Sequence, residues 1–196
     1  MFDEVELGSE FFEGLTAIDA AITARVARAG CGFCGGPLHR GDYPRKPRGG
    51  RIAGAVDDFD RRYSLCCGRE GCRRRSTPPS VRFLGRRVYV GAVVIIASVV
   101  ALAAATASAA RRATGIASRT LRRWLRWWRG PFVATPVFVA IAARLVPAVD
   151  RLRLPASILE RLLGDEGVRV HGMLGWLAPL TTASVDDGAR FVRGLV

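Results

Sequence analysis

The sequence predicts a mainly α-helical chain interrupted by one short β-containing segment that cysteines hold together. Three observations carry that prediction. Apolar residues recur at helical spacing near the N-terminus and through the C-terminal third, and five cysteines fall within residues 31–72 in a stretch rich in Gly, Pro and Arg. The excess of positive charge sits in the middle of the chain. With 196 residues and 49% hydrophobic composition the chain can bury a core, which excludes global disorder. The composition shifts divide it into four segments, residues 1–29, 30–87, 88–130 and 131–196.

Residues 1–29 are acidic, with two basic against six acidic residues, and place Phe11, Phe12, Leu15, Ile18 and Ile22 at roughly helical spacing. One amphipathic lead-in helix is expected. The opening MFDEVELGSEFFEG lacks the apolar run of an export signal, so a cytoplasmic protein with reduced thiols is expected.

From Gly30 to Pro79 turn signals recur at Gly35-Gly36-Pro37, Pro44, Pro47 and Gly49-Gly50. Such a stretch cannot make a large apolar core and needs a staple. Cys31-Gly-Phe-Cys34 supplies two thiolates on one turn, and Cys67-Gly-Arg-Glu-Gly-Cys72 supplies two more. Together they suit a small zinc ribbon over residues 30–87, with a closed tetrahedral site for one structural zinc ion and Zn–S of about 2.3 Å. Two residues compete for places. Cys66 neighbours Cys67 in the strand-like run Arg62–Cys67, where alternate side chains face opposite sides, so only one of the two can point at the metal, and Cys67 is favoured. His39 is the other candidate, although a lone histidine in a basic loop is more often an exposed polar residue. Residues 81–90, VRFLGRRVYV, read as an extended join.

Residues 91–110 carry no charge, and 20 residues at about 1.5 Å each could cross a hydrocarbon layer of about 30 Å. A membrane-anchored protein with a single span is therefore one reading. The other is a helix-turn-helix. Within Thr106–Trp124, Ala110 is small where two helices would cross, Gly115 makes the turn, Ile116 and Leu121 plug the space between, and Ser118 or the Ala117 position begins the second helix. That shortens the uncharged run to 91–105, a buried helix, and the flanking arginines show no inside–outside asymmetry.

The second helix would present Arg119, Arg122, Arg123 and Arg126 outward beside Ser118 and Thr120, with Trp124, Trp127 and Trp128 anchoring its inner side. Residues 88–130 hold seven arginines and no acid, and residues 31–87 have a net charge of +9. A localised basic footprint predicts a polyanion partner, and a major-groove helix predicts double-stranded DNA.

Residues 132–196 read as three short helices, roughly 135–146, 155–164 and 167–178, with Phe138, Ile141, Leu145, Ile158, Leu162, Leu163, Leu174 and Leu177 as their core. Asp150, Glu160, Asp165, Glu166, Asp186 and Asp187 are read as helix caps and solvated charges, so no catalytic centre and no small-molecule substrate are expected.

The run RYSLCCGREGCRRRSTPPSVRF followed by GIASRTLRRWLRWW resembles the N-terminal region of insertion-sequence transposases and their short mobile-element accessory proteins, over roughly residues 31–130. The tail, with LPASILERLLGDEG and LAPLTT, is similar to that of short proteins encoded near mobile elements. The resemblance implies metal ligation by Cys31, Cys34, Cys67 and Cys72, DNA contact by the arginines from Arg119 to Arg126, and a role in transposition beside a separate transposase. Two positions depart from the pattern: Thr114 stands where such turns hold an apolar residue, and Cys66 duplicates a ligand. The 66 residues after Gly130 are too few for the nuclease fold of a transposase.

Overall fold

The computed structural model describes residues 8–45, 57–84 and 89–182. Helix α1 spans Ser9–Ala29 and buries Phe12, Leu15, Asp19, Ile22 and Thr23 along one stripe. Ile18, expected on that stripe, lies at its edge and stays 38% exposed. The polar members of the stripe are satisfied inside the core. Thr23 donates its hydroxyl to the Asp19 carbonyl at 2.7 Å, and the Asp19 carboxylate accepts from the Val81 amide (2.7 Å), the Ser80 hydroxyl (2.5 Å) and Arg82 Nε (2.8 Å). Arg82 also donates to the carbonyls of Phe59 and Arg61. A buried charge persists only when paired and hydrogen-bonded in this way.

The cysteine segment is a set of short antiparallel strands. Strands β1 (Leu38–Arg40), β4 (Leu65–Cys67) and β5 (Arg75–Ser76) form one sheet in the order β1-β4-β5, with Leu38 opposite Cys67 and His39 opposite Cys66. Strands β2 (Tyr43–Pro44) and β3 (Arg61–Arg62) pair beside it. The expected extended join is a strand pair, β6 (Phe83–Leu84) with β7 (Tyr89–Val90), and residues 85–88 lie outside the described residues.

The uncharged run is not one helix. Helix α2 covers Gly91–Ala103, and after residues 104–106 a new helix, α3, runs Ala107–Thr114 with the Thr106 hydroxyl accepting from the Ala109 amide at 3.1 Å. A side chain that caps a helix start ends any continuity with the helix before it. Among the described residues no helix is long and apolar enough to cross a membrane, which removes residues 91–110 as a spanning helix. Instead α2 buries Ala92, Val94, Ile95, Ala97, Ser98 and Val99 in the protein core.

Gly115 follows α3 with φ 67° and ψ 3°, a left-handed conformation that glycine adopts without strain. Helix α4 (Ser118–Trp127) then packs against α2 and α3 and runs into a single wide turn, Trp128–Phe132, that contains Pro131. The remaining helices among the described residues are α5 (Pro136–Ala142), α6 (Ala156–Leu159) and α7 (Glu166–Leu177), with tight turns at Arg151–Arg153 and Ala178–Thr181. Two are shorter than helical spacing suggested. Helix α6 is one turn, so Leu163 falls beyond it and is 90% exposed, whereas Phe138, Ile141, Ile158, Leu174 and Leu177 are buried as expected, and Leu145 and Leu162 partly so. A single hydrophobic cluster joins residues from all four segments, including Phe12, Phe59, Val81, Trp128 and Leu174.

Candidate metal centre and basic helix

The first cysteine turn begins two residues after α1 ends. Cys31 donates its amide to the Gly36 carbonyl at 2.9 Å and accepts from the Gly35 amide at 2.7 Å, folding residues 31–36 into a closed loop. The second turn is closed by the Cys67 amide to the Arg74 carbonyl (2.9 Å) and the Cys72 amide to the Arg69 carbonyl (3.1 Å). Two bonds stitch the turns together: Arg69 Nη1 to the Cys34 carbonyl at 2.8 Å and the Gly68 amide to the Pro37 carbonyl at 2.9 Å.

The result brings the sulfurs of Cys31, Cys34, Cys67 and Cys72 within 4.8 Å of one another. Cys31 Sγ lies 3.9 Å from Cys72 Sγ, and Cys34 Sγ lies 3.5 Å from Cys67 Sγ. These separations are far beyond the roughly 2.05 Å of a disulfide. They sit beside the edge of about 3.8 Å that four sulfurs at about 2.3 Å from a tetrahedral centre would have. A side chain at Gly36 would fill this cradle, since a Cβ there would lie 3.2 Å from Cys67 Sγ and 3.3 Å from Cys34 Sγ. The donor set and the space both fit a metal ion.

The thiols are electrostatically unequal. The Cys31 thiol is pulled down to about 7, chiefly by the Phe33 and Cys34 amides that point at its sulfur. Cys67 is pushed up to about 12: the Arg69 amide favours its thiolate, but burial and the neighbouring cysteines outweigh it. Four thiols this close cannot all ionise without a cation between them.

The two competing residues lie elsewhere. Cys66 points to the other side of β4, where its Sγ donates to the Arg73 carbonyl at 3.5 Å, and His39 faces it across the strand pair. Strand alternation therefore places Cys67, and not Cys66, in the cluster.

Helix α4 has two unlike sides. Leu121 and Trp124 are buried on one, followed by Trp128, whose indole N–H donates to Ser98 Oγ on α2 at 3.0 Å; Trp127 is half-buried against Trp128 and Phe132. Ala110 and Ile116 are buried where α3 turns into α4. Thr114 fits this turn without an apolar side chain, because its hydroxyl donates to the Ala110 carbonyl (2.8 Å) and accepts from the Ile116 amide (3.2 Å).

Arg119, Arg122, Arg123 and Arg126 are exposed on the other side, and among the described residues none of them pairs with a carboxylate. Helix α4 begins at Ser118, as expected, with Ala117 as its N-cap; the Ser118 hydroxyl does not cap its own amides but donates to the Ala107 carbonyl at 3.2 Å, tying α4 to the start of α3. Thr120 is half-buried. Sequence reasoning missed one contact here. Arg123 donates to the Tyr89 hydroxyl with its guanidinium 5.5 Å from the ring centroid, and Tyr89 packs edge-on against Trp124.

Three carboxylates of the C-terminal segment have partners close in sequence. Asp150 accepts from the Leu152 amide, Asp165 from the Val168 amide, and Glu160 pairs with Arg153; Asp186 and Asp187 lie outside the described residues. No known protein family, curated protein or solved structure matches this chain.

Proposed function

We propose that this chain binds double-stranded DNA through α4, that zinc held by Cys31, Cys34, Cys67 and Cys72 fixes the cysteine ribbon, and that the protein serves a mobile element as an accessory factor or regulator beside a separate transposase. The observation that carries this reading is the two-sidedness of α4. Its buried side anchors it through Leu121 and Trp124, while four arginines without carboxylate partners among the described residues line the other. Guanidinium forks suit both phosphates and the O6/N7 edge of guanine in a major groove. The turn at Gly115 supports a helix-turn-helix in which α3 backs the reading helix.

Four soft thiolates around a small cradle suit zinc, and with four sulfurs bound no position is left for a reacting ligand. When bound, the ion cross-links the two cysteine turns of a segment that has little apolar core of its own. The reading requires no catalytic step and no small-molecule substrate.

Anisotropy titration of the zinc-loaded protein into a mixed pool of labelled duplexes tests the reading. Binding should weaken as salt rises, with a log–log slope of about −0.9 per phosphate contact. No binding at low salt would remove it.

A further inference from the structure

Phe33 sits between Cys31 and Cys34 at the tip of the first cysteine turn and is 67% exposed, whereas Phe12, Phe59, Phe83, Phe132 and Phe138 are buried. Its ring takes no part in the core. The Arg74 guanidinium, arriving from beyond the second turn, lies 3.3 Å from the ring centroid and so covers part of it by a cation–π contact. A second guanidinium reaches the same turn, since Arg69 donates to the Cys34 carbonyl at 2.8 Å, and Arg69, Arg74 and the adjoining Arg73 are all exposed.

We propose that this tip is a stacking platform for an unpaired base of single-stranded DNA, with the Phe33–Arg74 pair taking the base and the neighbouring guanidiniums its phosphates. An exposed aromatic ring amid positive charge is the combination that holds single strands, because every base offers a π-face and every linkage an anion. A base inside a duplex presents only its edges in the grooves, so the ring selects unpaired nucleotides. An apolar protein partner would instead want Phe33 within an apolar patch, whereas Arg74 lies on its ring and Arg69 is bonded to the adjoining Cys34 carbonyl. The choice of DNA as the polymer rests on the duplex reading of α4; the stacking geometry does not.

The test uses the full metal-loaded chain and a short single-stranded oligonucleotide carrying 2-aminopurine, whose fluorescence reports stacking, with a duplex of the same sequence titrated in parallel. Phe33→Leu keeps apolar bulk and removes the π-face. It should bind the single strand roughly 5- to 150-fold more weakly at full metal content and leave duplex affinity unchanged, and Phe33→Trp should bind like wild type. Replacing Arg119, Arg122 and Arg126 by alanine should give the opposite pattern, with duplex binding lost and the single strand retained. Failure of that triple variant to lose duplex binding would count against the α4 reading alone. Wild type that leaves the single strand unbound, or metal-replete F33L that binds it as tightly as wild type, would overturn the platform. Tighter binding of the same sequence as RNA would overturn the assignment to DNA.

Discussion

Arg82 and Asp19, 63 residues apart in sequence, meet inside the protein with Arg82 Nε 2.8 Å from Asp19 Oδ2, and neither side chain has appreciable contact with solvent. The pair ties α1 to the strand pair that leads into α2. Breaking a buried pair from one side leaves an uncompensated charge and costs about 3–5 kcal/mol. Asp19→Asn keeps the shape and removes the charge, so its urea midpoint should fall by that equivalent. A loss below about 1 kcal/mol would show that Arg82 does not need this partner.

The metal site predicts one zinc per chain. Cys66→Ser should retain it, because Cys66 lies on the far side of β4 from the cluster, while Cys67→Ser should lose most affinity. Metal analysis of the purified variants decides. Affinity should also fall with acidification, since all four sulfurs must be thiolates to ligate. Cys67 is held near 12 without metal, so zinc binding at neutral pH should release protons, and below about 7 Cys31 adds one more proton to be displaced.

His171 predicts a pH dependence of folding with a definite sign. Its ring stacks on Phe11 with centroids 4.3 Å apart, and its Nε2 is buried without a hydrogen-bond partner among the described residues. Burial lowers its pKa below the ordinary 6.5 against the opposing pull of the Phe11 backbone and Asp165. The unfolded chain therefore takes up the proton first. Stability should be complete above about 6.5 and decline as pH falls below it. His171→Phe keeps the stack and should flatten the slope between pH 5 and 7 in denaturant titrations; an unchanged slope would show that other groups carry it.

Gly115 should resist substitution. At φ 67° an L-residue is strained by roughly 1–2 kcal/mol, so Gly115→Ala should lower the melting temperature, and Gly115→Asn should lower it less. Equal stability of all three would contradict the left-handed turn.

Local patterns carried much of this structure in the sequence, and distant contacts carried the rest. Strand alternation separated Cys67 from Cys66, and the cluster of Cys31, Cys34, Cys67 and Cys72 forms as spacing suggested. Helix-turn-helix spacing divided the uncharged run near residue 105, and α2 and α3 do separate there, although the Thr106 hydroxyl caps α3 instead of lying within it. Leu163 shows the limit of spacing: it continues the apolar pattern, yet α6 stops at Leu159 and leaves it in solvent. The Asp19–Arg82 pair and the Tyr89–Arg123 bond had no local signal, because each joins residues that only the tertiary fold brings together.

If α4 holds duplex DNA through its exposed arginines, as proposed, the salt dependence of binding will report it. A variant with alanine at Arg119, Arg122, Arg123 and Arg126 keeps the buried Leu121 and Trp124 and should fold with its zinc. Its affinity for a mixed duplex pool should collapse, and the log–log salt slope should become shallower by about 0.9 for each phosphate contact removed. Wild-type affinity with an unchanged slope in that folded variant would contradict the account.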